Sequence, residues 1–283
     1  MRVRAVLTDL DGTLLEPDGS VCAEVRVVLA ELARLAVPVC PLTSKTASEV
    51  RAIVQTLGLD APASFENGAG VLHQDDTVEL RPGAVPLAEL VTVAVLVRTA
   101  TGAPLRSILE LADAELTALT GLRGVQLAAA RDRRATLPLV VDAAWDDVFR
   151  AALPALPPLR VVRGNRFLHL QGAHDKGGAV PRLIELSPDR VGATVACGDS
   201  PNDAELLARA DVPVIVPGAA GPNPDLVGRF PGARVAPLPN GRGWAAIISE
   251  LLAEELAPPP AGGDHQDPDA KTPTARRQVT TDG

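Results

Sequence analysis

An apolar run from Val3 to Thr8 passes directly into Asp9-Leu10-Asp11-Gly12-Thr13. A run this short and without polar alternation suits a strand buried on both faces, and such strands belong to parallel sheets. The same pattern recurs. Val37 to Leu42 reads as a second strand that breaks into Thr43-Ser44-Lys45-Thr46, followed by a helix over 47–57 whose start carries hydroxyl residues suited to capping. Ala193 to Cys197 and Val212 to Val216 read as further strands, with helices at Val21 to Leu35, Lys176 to Leu186, Asn202 to Arg209 and Trp244 to Leu256. Strand and helix in alternation predict an α/β fold around a mostly parallel, Rossmann-like sheet, in which ligands bind beyond the carboxyl ends of the strands.

Between residues 81 and 172 the pattern changes. Helical spacing at Pro86 to Ala100, Asp113 to Leu119, Gly124 to Ala130 and Ala144 to Leu153 is interspersed with short strands at Pro138 to Val141, Arg160 to Val162 and Arg166 to Leu170. This reads as an α+β unit inserted into a core made of 1–80 and 173–256. The insertion carries eleven arginines against eight acids, in a chain whose net charge is -8. Residues 257–283 are proline-rich and aperiodic and are expected to be a disordered tail.

Composition removes several classes of function. Four Phe, two Trp and no Tyr leave little for a base-stacking surface, so nucleic acid is not an expected partner. No segment approaches the apolar length of a membrane span, and the amino terminus lacks the apolar stretch of a signal peptide. Three cysteines, Cys22, Cys40 and Cys197, lack metal-ligand or CxxC spacing. They read as structural thiols in a cytoplasmic protein.

Asp9 and Asp11, two apart on extended backbone, point to one side. Paired carboxylates call for a cation or a shared proton, and Mg²⁺ is the hard ion that carboxylates, water and substrate phosphate can share. Asp9 could then attack phosphorus, while Asp11 exchanges protons with the leaving oxygen. An isolated DLDG string also reads as an acidic turn. The second cluster, Gly198-Asp199-Ser200-Pro201-Asn202-Asp203, follows another apolar strand. Asp199 would complete the magnesium site, with Asp203 binding through water or orienting other groups. Thr43 and Ser44 stand before a helix, where hydroxyl and amide donors can hold an anion. Only three lysines occur among 27 basic residues, and two of them, Lys45 and Lys176, fall at these loops. Lys176 begins a helix, a placement that the helix dipole disfavours unless an anion binds there. Lys45 reads equally as a phosphate-loop group or a solvated lysine.

These segments, DLDGT, TSKT, DKG at 175–177 and GDSPND, resemble in order and context those of the haloacid dehalogenase superfamily of aspartate-nucleophile phosphatases, and the insertion resembles its type IIB cap. Further strings, Glu66-Asn67-Gly68-Ala69, Leu119-Thr120-Gly121-Leu122 and Arg163-Gly164-Asn165-Arg166-Phe167, resemble the mannosyl-3-phosphoglycerate phosphatase family. The resemblance spans about 1–255. It implies Asp9 as nucleophile, Asp11 as general acid and base, Thr43 and Lys176 as phosphate and phosphoaspartate stabilisers, and Asp9, the Asp11 carbonyl and Asp199 on Mg²⁺. The substrate so implied is a phosphorylated sugar or glycosyl-3-phosphoglycerate. Another sugar phosphate, a phosphohexomutase reaction and a noncatalytic phosphosugar-binding role are the alternatives. Arg133, Arg163 and Arg166 are candidates for a leaving-group carboxylate, because arginine binds one bidentately. Asn67 reads either as a substrate contact or as a turn residue, and His169 and His174 as a structural group and a residue at the site's edge. One departure stands out: relatives carry an acidic residue before the proline of a string resembling REYDEP, where this chain has Leu137 before Pro138. If that acid reads sugar hydroxyls, the sugar preference differs here. No oligomeric state follows from the sequence.

Overall fold

The structure, a computed structural model, describes residues 2–155, 157–164 and 166–256. The expected tail at 257–283 lies outside the described residues. The chain opens with β1 (Val3–Thr8), α1 (Ala23–Arg34), β2 (Val39–Pro41) and α2 (Ala47–Leu57), followed by three short strands, β3 (Ala63–Phe65), β4 (Gly70–Leu72) and β5 (Val78–Leu80). The central part contributes α3 (Leu87–Thr101), β6 (Arg106–Ser107), α4 (Asp113–Thr120), α5 (Val125–Arg131), β7 (Thr136–Val140), α6 (Asp146–Ala151), β8 (Leu159–Arg163) and β9 (Leu168–Gly172). The last part is α7 (Lys176–Leu186), β10 (Ala193–Gly198), α8 (Ala204–Leu207), β11 (Val212–Ile215), α9 (Pro224–Arg229), β12 (Arg234–Val235) and α10 (Asn240–Leu256).

The main sheet has the order β12-β11-β10-β1-β2, with every pairing parallel. Its apolar strands are buried on both faces, which is why they carry continuous rather than alternating hydrophobic residues. On one face α1 and α10 supply Val25, Leu32, Trp244 and Leu251; on the other, α7 and α8 supply Leu183 and Leu206. Register decides where the chemistry falls. Thr8 lies opposite both Cys197 and Pro41, so the residues that follow these strands emerge level with one another at one sheet edge.

The inserted unit is a four-stranded antiparallel sheet, β6-β7-β9-β8, with α3 and α6 packed on it through Leu90, Val97 and Phe149. The two connections to the main sheet run in contact: a Cβ on Gly172 would lie 2.0 Å from the Gly83 carbonyl oxygen.

Some expectations shift. The helix read over Ala144 to Leu153 is a 3-10 turn, Ala143–Trp145, followed by α6, and that over Asn202 to Arg209 divides in the same way into Pro201–Asp203 and α8. The last helix starts at Asn240, earlier than Trp244. The antiparallel sheet β3-β4-β5 has no counterpart in the sequence reading, because strands of three residues are too short for a period to register. It continues the main sheet through a bridge between Leu42 and Ser64. No described helix is long and apolar enough to cross a membrane. The three cysteines are free, and burial pushes the Cys40 thiol up to about 11 and raises that of Cys197, so both are inert at neutral pH.

Candidate active site

The end of β1 delivers Asp9, whose N–H donates to the Cys197 carbonyl at 3.0 Å and whose side chain is buried. Lys176 reaches it from the first turn of α7, a helix capped by Asp175, which accepts from the Gly178 N–H at 2.7 Å. The Lys176 ammonium donates to Asp9 Oδ1 at 2.7 Å and to Asp203 Oδ1 at 2.6 Å, and is 1% exposed. The second oxygen of Asp203 accepts from the N–H groups of Asp199 and Ser200, each at 3.0 Å, which fixes the loop after β10. Asp199 Oδ1 accepts from the Thr13 hydroxyl at 3.2 Å. The glycine of DLDG is required by this approach: Gly12 has φ +85°, and a Cβ there would lie 2.6 Å from Asp199 Oδ2.

Asp9, Asp199 and Asp203 therefore each offer an oxygen, all within 4.8 Å of one another, and Lys176 pairs with two of the three. Burial and the neighbouring Asp203 and Asp199 charges together hold the Asp9 carboxyl well above the usual range, although Lys176 opposes them. Burial also disfavours charge on Lys176, but Asp203 and Asp9 outweigh it and raise its pKa. Hard oxygen donors brought together in this way, with Asp199 admitted beside the β1 loop by Gly12, fit a small divalent cation.

Asp11 stands apart from this cluster. Its side chain is 41% exposed, and Oδ2 pairs with Lys45 Nζ at 2.8 Å. The Asp11 carboxylate thus lies outside the acidic cluster, and the neighbouring Lys45 holds it at the cleft. Lys45, one of the two lysines at the loops, has a side chain only 16% exposed, so it is not a solvated group. Burial lowers its pKa, but Asp11 and Glu49 more than compensate and hold it above the ordinary lysine value. Thr43 is fully buried, its hydroxyl accepting from the Lys45 N–H at 3.3 Å, while Ser44 and Lys45 line the cleft.

A cleft of about 380 Å³ lies between this sheet edge and the inserted unit. Its far wall includes Arg133, Arg166 and His169 among the apolar side chains Ile108, Leu122 and Phe167. Arg133 donates through Nε to the Ala130 carbonyl at 3.1 Å and through Nη1 to the Ser44 carbonyl at 2.8 Å, so it spans the cleft. Arg166 reaches the Pro17 carbonyl at 3.5 Å. Arg163 does not line the cleft; at the end of β8 it pairs with Asp146, the first residue of α6. Of the two readings of Asn67, the structure has the turn residue and not the substrate contact: it is 2% exposed, its backbone is left-handed, and its amide donates to Gln171 Oε1 at 3.0 Å, outside the cleft lining. His174 is buried outside the cleft. His169, by contrast, faces the cleft, and burial together with the charges of Arg133, Lys176 and Arg163 pushes it down to about 3. Leu137 is fully buried in the apolar interior of the inserted unit. The position before Pro138 therefore lies outside the cleft lining.

Known proteins resemble this chain in sequence and in fold. Residues 6–82 match the model of the haloacid dehalogenase-like hydrolases. The chain is 26% identical over 275 residues to a glucosyl-3-phosphoglycerate/mannosyl-3-phosphoglycerate phosphatase of Persephonella marina, covering 88% of this chain and 97% of that protein. It is 30% identical over 232 residues to a protein of the same name from Methanococcoides burtonii, covering 75% of this chain and 84% of the relative. Among solved structures, a haloacid dehalogenase-like hydrolase from B. subtilis superposes with a TM-score of 0.70 at 17% identity, over 88% of this chain and 100% of the other. A sugar phosphatase of HAD subclass IIB does so with a TM-score of 0.66 at 15% identity, over 89% of this chain and 99% of the other. The inserted unit is thus a type IIB cap in fold. The chain is a phosphatase of the haloacid dehalogenase superfamily and belongs to the family of the glucosyl-3-phosphoglycerate/mannosyl-3-phosphoglycerate phosphatases.

Proposed function

We propose that the protein is a Mg²⁺-dependent phosphomonoesterase that works through an aspartyl-phosphate and takes a glycosyl-3-phosphoglycerate as substrate. The observation that carries the reading is Asp9, held by Lys176 at 2.7 Å and grouped with Asp199 and Asp203 at the floor of a cleft whose far wall bears Arg133 and Arg166. Residues 81–172 act as the cap over a core of 1–80 and 173–256. Asp9, Asp199 and, through water, Asp203 would hold the metal, with the Asp11 carbonyl. Mg²⁺ supplies neutralisation of the phosphoryl oxygens and of the carboxylates around them.

The chain's own groups do the rest. The free Asp9 oxygen attacks phosphorus in line, forming a P–O bond as the bond to the leaving alkoxide breaks. Asp11, at the cleft side of the same loop, gives that alkoxide a proton. A water then attacks the phosphoaspartate, its proton passing to Asp11, and inorganic phosphate leaves as Asp9 is restored. Lys176 and the Thr43-Ser44 loop stabilise the phosphoryl group. Arg133 and Arg166 offer the leaving group's carboxylate a cation beyond the phosphate. The names of the relatives support this substrate. The test is a phosphate-release screen with Mg²⁺ over glycosyl-3-phosphoglycerates, simple sugar phosphates and 3-phosphoglycerate, without any bisphosphate activator. The glycosyl-3-phosphoglycerates should give the highest kcat/KM, and a higher value for simple sugar phosphates overturns the substrate.

A further inference from the structure

Glu66 is fully buried, and none of the steps above uses it. It opens three consecutive residues of positive φ, Glu66 at 48°, Asn67 at 57° and Gly68 at 90°. A glutamate adopts that conformation against its own steric preference, so its surroundings must hold it there. Both ends of the residue are engaged. The Glu66 N–H donates to the Lys45 carbonyl at 2.8 Å and the Asn67 N–H to the Thr43 carbonyl at 2.8 Å, which joins this turn to the phosphate loop. The carboxylate crosses to the cap, where it accepts from the N–H groups of Arg134 at 2.8 Å, Ala135 at 2.9 Å and Thr136 at 2.7 Å, and from the Thr136 hydroxyl at 2.8 Å.

The Thr136 hydroxyl oxygen in turn accepts from Arg133 Nη1 at 3.0 Å, and that nitrogen also donates to the Ser44 carbonyl at 2.8 Å. Glu66, Thr136, Arg133 and the phosphate loop thus close a ring of hydrogen bonds across the boundary between core and cap. In a 3-phosphoglycerate ester the phosphate and the carboxylate stand a fixed three-carbon skeleton apart. A site that recognises both needs its two anion holders at fixed spacing, and the second holder here belongs to the inserted unit while the first belongs to the core.

We infer that Glu66 is a positioning residue for leaving-group recognition: it fastens cap residues 133–136 to the phosphate loop and so sets Arg133 at carboxylate distance from the phosphate. The inference rests on the reading that Arg133 takes the leaving group's carboxylate. A purely structural role would lower turnover of all substrates together. A positioning role lowers turnover selectively.

The experiment measures, with Mg²⁺, the ratio of kcat/KM for a glycosyl-3-phosphoglycerate to kcat/KM for the glycosylglycerol phosphate that bears a hydroxymethyl group in place of the carboxylate. In Glu66→Gln this ratio should fall about tenfold from wild type, carried chiefly by KM for the carboxylate substrate. An unchanged ratio overturns the inference, including the case in which both activities fall in parallel. If Glu66→Gln does not fold, Thr136→Val decides instead: it removes one link of the ring at nearly constant shape, and its ratio should fall about threefold, an unchanged ratio again being fatal. A wild-type ratio near one would show that no carboxylate is read, which removes the substrate reading and the inference together; a high wild-type ratio that survives in the variant removes the inference alone.

Discussion

Lys176 is the residue on which the site's charge balance turns, since it is buried between Asp9 and Asp203 and touches both. A buried ion pair deprived of one partner leaves an uncompensated charge, at a cost of about 3–5 kcal/mol. Lys176→Met should therefore lose phosphatase activity and unfold at a lower urea midpoint at neutral pH, since Asp9 and Asp203 lose their shared partner. Asp9→Asn keeps the size and most hydrogen bonds of the side chain but removes the nucleophile. It should fold with a normal melting temperature and show no Mg²⁺-dependent turnover; retained full activity would exclude Asp9 as nucleophile. Asp11→Ala should lower kcat by about 10²–10⁴, the usual range for a lost general acid and base. His169 supplies a pH test. Its folded pKa, pushed down to about 3, lies below the ordinary value of 6.5, so the unfolded chain binds the extra proton between these values. Stability contributed by neutral His169 is thus present above pH 6.5 and is lost as pH falls toward 3, by about 1.4 kcal/mol per pH unit at most. In His169→Gln the urea midpoint should depend less steeply on pH between 6.5 and 4.

Among the elements, the turn at 66–68 is the one whose geometry the local sequence both marks and conceals. Asn and Gly at 67 and 68 announce a left-handed turn, but a turn of this kind is also an ordinary solvent loop. What makes it a joint is the approach of α7: a Cβ on Gly68 would lie 2.0 Å from the Asp175 carbonyl oxygen. Gly68→Ala should destabilise the protein by about 2–4 kcal/mol in urea unfolding, since it adds backbone overlap to a positive φ. Longer elements were legible beforehand. α2 and α7 begin and end where capping residues and periodicity place them, with Thr46 and Glu49 forming a capping box and Asp175 capping Lys176. The three-residue strands β3 to β5 were not, because their existence depends on pairing with one another and with the edge of β2.

For the molecule as a whole, the acidic balance resolves into two regions of opposite sign. Three carboxylates cluster at the sheet edge, two of them bonded to Lys176, and the cap wall across the cleft presents Arg133 and Arg166. A cation that binds the folded site alone stabilises it by mass action, so Mg²⁺ at about 100 times its Kd should raise the melting temperature by roughly 5–10 °C. Chelation should reverse that shift and abolish phosphate release; a melting temperature indifferent to Mg²⁺ would argue against the site. Asp9, Asp11, Lys176 and Asp199 were readable in advance because each follows a strand or opens a helix, and the parallel sheet brings such positions to one edge whatever lies between them in sequence. Side-chain partners across the boundary between core and cap had no such rule behind them. Arg133, Arg163 and Arg166 are alike as letters, yet Asp146 removes Arg163 from the cleft and the Ser44 carbonyl keeps Arg133 in it. Glu66 belongs to a string that carries the family resemblance, yet nothing near it marks a role, because its donors stand about seventy residues further along the chain. The strand ends and their chemistry were settled locally, by hydrophobic pattern and backbone propensity; which charged groups meet across the cleft was settled by how the inserted unit is seated over the sheet edge, a long-range event that no local pattern encodes.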